Sequence, residues 1–508
     1  MGALKLSFGA CLLLLLSVAQ AGRHFQLYRQ YVLQQREERA MKDASLHSDL
    51  LPRRPVLGSW HRLIESTLRQ PLDHFNRQNP ATFNQRFWIN AKYWRRPDGP
   101  VFLFIGGEGS LSKYDVLSGH HVELARKLGA LLLALEHRFY GASINPDGLQ
   151  GQNLMFLSSQ QALADLASFH MFITQKLHLT QNNTWIGFGG SYPGALAAWF
   201  RLKFPHLVFA AVASSAPVRA QMDFTGYNKV VAESLSNPVI GGSKECRDGV
   251  AEAFSSVDSL IQTGQLEKLA KDFRSCEPLS GSANISNFVS GLADIFMSLV
   301  QYNGELGSVE KLCRIMTNRT VSPYQRLVAL NDNFLDGMTV GCVNNCYKCS
   351  MEELRNTTVN MWGVGERQWV FQQCTEFGYF QTCEDSSCIF SRLIDLQYMA
   401  DVCVEVFNIA QDRIQEGVGF TNEYYGADHP KASRVLFVNG DIDPWHSLSI
   451  LKNQSSSELA LVINGTAHCA DMLPSSFTDP LPLVQARKFI DAQVSEWLEL
   501  AQKMTGDL

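Results

Sequence analysis

Short, continuous apolar runs alternate with segments of helical periodicity along two stretches of this chain. The runs predict strands at 87–93, 101–105, 130–135, 185–188 and 207–213 in the first stretch, and at 434–438 and 459–463 in the second. Helices are predicted between and after them, at 121–128, around 163–173, at 193–203 and at 484–503. Apolar strands that alternate with helices are typical of a parallel sheet covered on both faces, so we predict an α/β fold.

The segment 217–430 breaks this alternation. It is helical in pattern, and it contains ten of the 12 cysteines in the chain. We interpret it as a helical cap inserted between the first part of the sheet domain (61–216) and the second part (431–508). At 508 residues the chain is long enough for such an insertion. We expect disulfides within the cap and leave Cys469 as the unpaired thiol.

The N-terminal residues have the features of a secretory signal peptide, which we place at 1–21. Lys5 precedes the apolar run 11–16, and Ala19-Gln20-Ala21 provides small residues for cleavage. Residues 22–60 are polar and are interpreted as an N-terminal extension or a removable pro-segment. Glycosylation sequons, which require a secretory surface, begin at Asn182, Asn284, Asn318, Asn356, Asn453 and Asn464.

Charge and composition exclude several classes of function. The net charge is −5, and no basic stripe is present, which argues against nucleic acid as a partner. Cys342, Cys346 and Cys349 have no matching histidine or cysteine pair after them, which argues against a zinc site. We therefore expect neither a metal nor a cofactor, and we expect no membrane span in the mature chain.

A strand, a turn of small residues and a helix meet at Ser191. The sequence Gly189-Gly190-Ser191-Tyr192-Pro193-Gly194 has the context of a nucleophile elbow, in which the serine hydroxyl stands clear of the sheet. The second glycine is displaced by one position from the usual G-x-S-x-G pattern, and Pro193 is tolerated in a first helical turn. The backbone N–H of Tyr192 is positioned to bind an oxyanion. This elbow predicts the α/β-hydrolase version of the fold.

Candidates for the acid and the base of a catalytic triad follow the last two predicted strands. Asp441 and Asp443 follow one strand, and His468 and Asp471 follow the other, in the chain order that this fold requires. We favour Asp443, because Pro444 stiffens its loop, while Asp441 and Asp471 remain alternatives. His446 is only three residues from Asp443, too close for an easy approach, so His468 is the preferred base.

Two charged or glycine-rich segments follow earlier strands. Gly107, within Gly106-Gly107-Glu108-Gly109-Ser110, lies where this fold places its second oxyanion donor. Glu136 and Arg138 also end a strand. Buried charges need partners, so we interpret these two residues as members of structural ion pairs and not as catalysts.

These motifs together resemble the serine carboxypeptidase S28 family. The resemblance rests on QPLDHFN at 70–76, GGEGS at 106–110, EHRFYG at 136–141, GGSYPG at 189–194, NGDIDPW at 439–445 and AHCADM at 467–472. It implies an α/β-hydrolase domain with a disulfide-linked helical cap, and the triad Ser191, Asp443 and His468.

The resemblance also implies a substrate pocket, for which Trp445, Ala195 and Glu108 are the candidate residues. Trp445 matches an aromatic residue in the proline pocket of well-known relatives. Those relatives have Gly-Gly-Met after the Ser-Tyr pair, where this chain has Pro193-Gly194-Ala195. We therefore expect a larger or differently shaped pocket.

The sequence thus predicts a serine peptidase that acts on peptides in the endosomal or lysosomal lumen, or after secretion. The resemblance implies peptide processing for class II antigen presentation as one such role. A catalytically inactive, secreted α/β-hydrolase-like binding protein is the alternative, and an esterase or lipase is a weaker one. Peptides are the expected partners, and a homodimer is the oligomer considered.

Overall fold

An eight-stranded sheet forms the centre of the computed structural model, which describes residues 24–46, 63–305, 307–359 and 365–506. Its strands in spatial order are β1 (Ile64–Pro71), β2 (Thr82–Asn90), β4 (Leu131–Leu135), β3 (Val101–Ile105), β5 (Trp185–Gly190), β6 (Ala210–Ser214), β9 (Val435–Gly440) and β10 (Glu458–Ile463). Strand β2 is antiparallel to both of its neighbours, and the remaining pairs are parallel.

Both faces of this sheet are covered, which explains the continuous apolar runs. In β3, Val101, Leu103 and Ile105 belong to one buried cluster, whereas Phe102 belongs to a second cluster on the opposite face. Successive side chains of a strand point to opposite faces, so a strand buried on both sides needs apolar residues at every position. The fold is an α/β-hydrolase fold, as expected.

Helices fill the chain before, between and after the strands. In chain order they are α1 (His24–Leu46), α2 (His120–Leu128), the short α3 (Gly151–Leu154), α4 (Ser159–Leu177), α5 (Tyr192–Lys203), α6 (Thr225–Leu235), α7 (Lys244–Gln262), α8 (Leu266–Asp272), α9 (Ser282–Gln301), α10 (Val309–Met316), α11 (Pro323–Gly337), α12 (Tyr347–Arg355), α13 (Glu366–Gln372), α14 (Leu396–Phe407), α15 (Gln411–Tyr425) and α16 (Leu481–Gly506). A π-helical turn, Gln373–Phe377, continues α13.

The helical segment between β6 and β9 forms a disulfide-linked cap. It includes a small parallel pair, β7 (Gln221–Asp223) and β8 (Gly378–Phe380), which the sequence pattern did not predict. Its disulfides join Cys246 to Cys313, Cys276 to Cys342, Cys346 to Cys349, Cys374 to Cys403, and Cys383 to Cys388. Cys469 is a free, buried thiol, as predicted.

Helix α1 covers much of the predicted N-terminal extension, and it packs against the cap. The predicted signal peptide and the linker 47–62 lie outside the described residues. One described helix, α9, is long and apolar enough to cross a bilayer, but 78% of its most apolar window is buried inside the protein. Burial of that kind is typical of a core helix.

Candidate active site

Ser191 occupies the sharp turn between β5 and α5. Its backbone has φ 65° and ψ −134°, a strained conformation for a residue with a side chain. The Ser191 N–H donates to the carbonyl oxygen of Ser214 on the neighbouring strand at 2.9 Å, which holds the turn in place. The turn has the geometry of a nucleophile elbow.

Small residues around Ser191 are required by close packing of backbone and side chains. A Cβ at Gly189 would overlap the carbonyl oxygen of Pro193, and one at Gly190 would overlap the side chains of Met472 and Cys469. The displaced glycine, Gly194, is equally confined, because a Cβ there would lie 2.6 Å from the carbonyl oxygen of Ser214. Each of these contacts is too short for any side chain.

Pro193 also explains why the loop after β3 contains Gly107. A Cβ at Gly107 would lie 2.2 Å from Cγ of Pro193, so the loop after β3 packs directly on the proline ring. This contact places the backbone of Gly107 beside the elbow. The departure from G-x-S-x-G is therefore accommodated by contact with the neighbouring loop.

The acid and the histidine lie on loops after β9 and β10, which are paired in parallel. Nδ1 of His468 lies 2.9 Å from Oδ2 of Asp443, and both side chains are buried. The other carboxylate oxygen, Oδ1, accepts from the N–H of Trp445 at 3.1 Å. Both oxygens of Asp443 are thus engaged, which fixes the carboxylate against the imidazole.

The electrostatics of this pair favour a charged imidazole. Burial alone would lower the pKa of His468, but the Asp443 carboxylate, with a contribution from Cys469, raises that pKa well above its usual value. A carboxylate that raises the pKa of a histidine in this way stabilises the imidazolium that forms when the histidine acts as a general base.

The alternative acids and the alternative histidine have other partners. Asp441 accepts from the N–H of Gly465 at 2.7 Å, and Asp471 accepts from the hydroxyl of Ser214. Nδ1 of His446 lies 3.1 Å from the carbonyl oxygen of Gly440. Among the candidates considered, the structure therefore places Asp443 alone against His468.

Ser191 and His468 face one cavity of about 1060 Å³ between the sheet domain and the cap. Gly107, Glu108 and Trp445 also line it. Ala195 does not, because it is fully buried in the core beneath the elbow. A difference in the shape of this cavity therefore does not come from the side chain at position 195.

Glu136 and Arg138 are buried ion-pair members, but not with each other. Glu136 accepts from Arg86 at 2.5 Å, and Arg138 binds Asp165 through two of its nitrogens at 2.7 and 2.8 Å. Among the described residues, no group of three or more His, Cys, Asp or Glu side chains could hold a metal ion. Five of the predicted sequon asparagines are exposed, and Asn284 is partly buried.

Comparison with known proteins identifies the family. Residues 70–490 match the model of the serine carboxypeptidase S28 family. The chain belongs to that family. It is 43% identical to human (Homo sapiens) thymus-specific serine protease over 446 residues, covering 86% of this chain and 87% of the human protein. It is 27% identical to mouse (Mus musculus) lysosomal Pro-X carboxypeptidase, covering 88% and 94% of the two chains. This S28 chain is therefore a serine peptidase, and hence a hydrolase.

Similarity to solved structures is more remote. A proline iminopeptidase from Mycobacterium smegmatis aligns with 87% of this chain and all of its own, at 11% identity and a TM-score of 0.34. A hyperthermophilic esterase from the archaeon Pyrobaculum calidifontis aligns with 97% and 99%, at 12% identity and a TM-score of 0.38. Neither bears on the substrate of the S28 chain.

Sequence reasoning missed Gln301, the last residue of α9, which connects the cap to the site. Its backbone oxygen accepts from the N–H of His468 at 3.1 Å. Its side-chain oxygen accepts from Nε1 of Trp445 at 2.9 Å and from the hydroxyl of Tyr227 at 2.7 Å. A glutamine that ends a long apolar helix carries no motif, so no sequence signal could have identified it.

A buried polar network behind the elbow was also missed. The Tyr192 hydroxyl lies 2.9 Å from Nε2 of His137 and accepts from Nε2 of Gln372 in the cap at 3.1 Å. Gln372 also donates to Glu376, which accepts from the N–H and the hydroxyl of Ser159. The network joins Tyr192, the residue after Ser191, to the cap.

Proposed function

We propose that Ser191, Asp443 and His468 form the catalytic triad of this peptidase, and that the N–H groups of Tyr192 and Gly107 bind the oxyanion. The observation that carries the proposal is the contact of 2.9 Å between His468 and a carboxylate whose other oxygen is also bound. This histidine faces the same cavity as a serine on a strained elbow.

The proposed reaction has two steps. Oγ of Ser191 attacks the scissile carbonyl carbon and transfers its proton to Nε2 of His468, and the resulting oxyanion is held by the two N–H groups. His468 then protonates the leaving amine, which departs as the C–N bond breaks and leaves an acyl-enzyme. A water molecule, deprotonated by His468, hydrolyses the ester and regenerates Ser191.

The substrate side of the cavity supports binding of an apolar residue next to the cut. Trp369, Tyr379 and Trp445 line the cavity, and the ring of Trp445 makes an edge contact with Tyr379 at 5.4 Å. Such an aromatic enclosure suits a compact apolar side chain, including proline. Cleavage after proline is therefore a candidate preference, and the residues that flank each cut in a digested peptide library test it.

We place the activity in the lumen of endosomes or lysosomes, with peptide processing for class II antigen presentation as one such role. The name of one relative, lysosomal Pro-X carboxypeptidase, supports this location. The disulfides of the cap are consistent with a secretory-pathway protein. The raised pKa of His468 increases the protonated fraction of the imidazole at any given pH, so we expect cleavage to become faster as the pH rises through that pKa.

The decisive experiment is digestion of a diverse peptide library at about pH 5 and about pH 7, bracketing the usual pKa of histidine. Purified protein and its Ser191→Ala variant are compared by mass spectrometry. Cleavage by the first alone supports the proposal, and the residues flanking each cut define the preference for proline. Cleavage of simple esters but of no peptide would contradict it. Absence of cleavage at pH 5 would contradict the lumenal location.

A further inference from the structure

Helix α1 forms one wall of the active-site cavity. Gln26, Gln30, Leu33, Glu37 and Ala40 all line the same cavity as Ser191 and His468. They recur at steps of three and four residues, so they occupy one face of the helix. The wall is therefore built by a continuous helical face and not by a chance contact of one side chain.

Apolar side chains on another face of α1 anchor it to the cap. Val32 is fully buried and Tyr28 is 3% exposed, and both belong to the main core of the protein. The ring of Tyr28 stacks on Phe334 of α11 at 5.8 Å. Burial of large apolar side chains removes their surface from water, so these anchors hold the helix against the cap.

Ion pairs connect α1 to both halves of the site. Arg36 makes a bidentate pair with Glu305 of the cap at 2.6 and 2.8 Å, and it reaches the carbonyl oxygen of His468 at 3.4 Å. Arg29 binds the carboxylate of Glu108 at 2.9 Å, in the loop that follows β3. The helix thus spans from the cap to the oxyanion loop of the sheet domain.

The cavity remains large with α1 in place. Its volume of about 1060 Å³ is at the upper end of the roughly 300–1,000 Å³ typical of ligand pockets. The helix therefore leaves room for a short peptide. A longer chain that had to extend past the catalytic serine on the side of α1 would collide with a packed helix.

We propose that α1 is a specificity element that restricts this peptidase to short peptides and chain ends. The inference rests on the proposed peptidase function of Ser191. The expected substrates are short peptides and the free ends of longer peptides, which fit beside α1. An internal segment of a long chain does not fit there.

The test undocks α1 without altering a cavity-lining residue. In the variant Tyr28→Asp/Val32→Asp, two carboxylates replace buried anchors, and the cost of burying them favours release of the helix. The matched control, Tyr31→Asp/Met41→Asp, adds the same charge at exposed positions of α1, which are 39% and 48% accessible. Hydrogen exchange of residues 24–46 reports whether the helix is undocked.

Three substrates are compared for each protein: a short peptide that the wild type cleaves, a longer linear peptide with this sequence at its centre, and the cyclic form of the longer peptide. The readout is kcat/KM for each long substrate relative to the short one. We expect the ratio to rise at least about tenfold in the undocked variant, and to stay within about twofold in the control.

Each result decides the matter. Equal cleavage of the short and cyclic peptides by the wild type, or an unchanged ratio after undocking, would overturn the proposal while leaving the peptidase function intact. An equal rise for all three substrates would make α1 an inhibitory segment and would also overturn it. If the wild type cleaves no short peptide, the proposed function fails and the inference fails with it.

A second pair of variants tests the same proposal if Tyr28→Asp/Val32→Asp does not fold. Arg36→Glu opposes the charge of Glu305 and should raise the ratio, and addition of Glu305→Arg should restore the wild-type ratio. A restored ratio assigns the effect to docking of α1, whereas a ratio that stays high in the double variant contradicts that assignment.

Discussion

The sheet domain and the cap are stabilised in different ways. In the sheet domain, parallel strands share backbone hydrogen bonds and bury apolar side chains on both faces. In the cap, helices pack on one another, and the five disulfides that the structure describes lie between Cys246 and Cys403; two of them, Cys246–Cys313 and Cys374–Cys403, join helical segments to each other. The difference separates two tasks: the sheet domain holds the candidate triad, and the cap and α1 line the cavity beside it.

The largest expected effect tests whether the chemistry belongs to the sheet domain. Asp443→Asn should lower kcat by about 10⁴-fold, because the carboxylate that orients and charges His468 is lost while the geometry is kept. Steady-state kinetics on a library-derived peptide measure it. Asp441→Asn is the control, since Asp441 binds the N–H of Gly465 and not the imidazole. A larger loss in the control would contradict the assignment.

The next effect tests whether crosslinks stabilise the cap selectively. Replacing Cys246 and Cys313 by alanine opens a loop with a sequence separation of 67 and should cost about 4 kcal/mol of unfolding free energy. Replacing Cys383 and Cys388, with a separation of five, should cost only about 2 kcal/mol. Hydrogen exchange should show lost protection in α7 and α10 before the sheet, and simultaneous loss in both regions would contradict the comparison.

A third effect concerns Glu376, a buried residue of the cap that binds Ser159 of the sheet domain. Burial raises the pKa of Glu376 to about 7, above its usual value of 4.5. An acid with a raised pKa in the folded state is destabilising once ionised. The unfolding free energy should therefore fall as pH rises from about 4.5 to about 7, by an amount on the order of 3 kcal/mol.

Glu376→Gln is the matched variant for this third effect, since it keeps an oxygen that can accept from Ser159. Thermal or chemical denaturation at several pH values measures the slope in each protein. A slope in the variant equal to that of the wild type would assign the pH dependence to other groups.

The smallest effect tests the connection of the cap to the triad loops. Gln301→Ala leaves Nε1 of Trp445 and the Tyr227 hydroxyl without their acceptor, and a buried donor left unpaired costs about 1–3 kcal/mol. Chemical denaturation measures this loss. Gln262→Ala, at the exposed end of α7, should change stability by less than about 0.5 kcal/mol. Equal losses of unfolding free energy in both variants would contradict a specific stabilising role for Gln301.

The sequence predicted the sheet domain well, because a strand buried on two faces leaves a continuous apolar run. The runs at 101–105 and 130–135 coincide with β3 and, apart from Ala130, with β4. Strand β1 was missed because it is an edge strand whose residues alternate between partly buried and exposed. An edge strand needs few apolar residues, so it carries little sequence signal.

Candidate site residues could be predicted only where a motif or a strand end marked them. Ser191, Asp443 and His468 follow strands in a known order, and the structure brings the last two into contact. Gln301 and Arg36 come from helices of the cap and the N-terminus. Their positions depend on how distant segments pack, and local patterns do not encode that packing.

The free thiol of Cys469 has a consequence for how this enzyme would be classified by inhibitors. It is next to His468 in sequence, it lines the same cavity, and a Cβ on Gly190, the residue before Ser191, would lie 2.9 Å from its sulfur. A mercurial or an alkylating reagent bound to this sulfur would crowd the serine without touching it. Sensitivity to thiol reagents would then imitate a cysteine peptidase, so mechanistic class should be assigned from labelling of Ser191 by a fluorophosphonate.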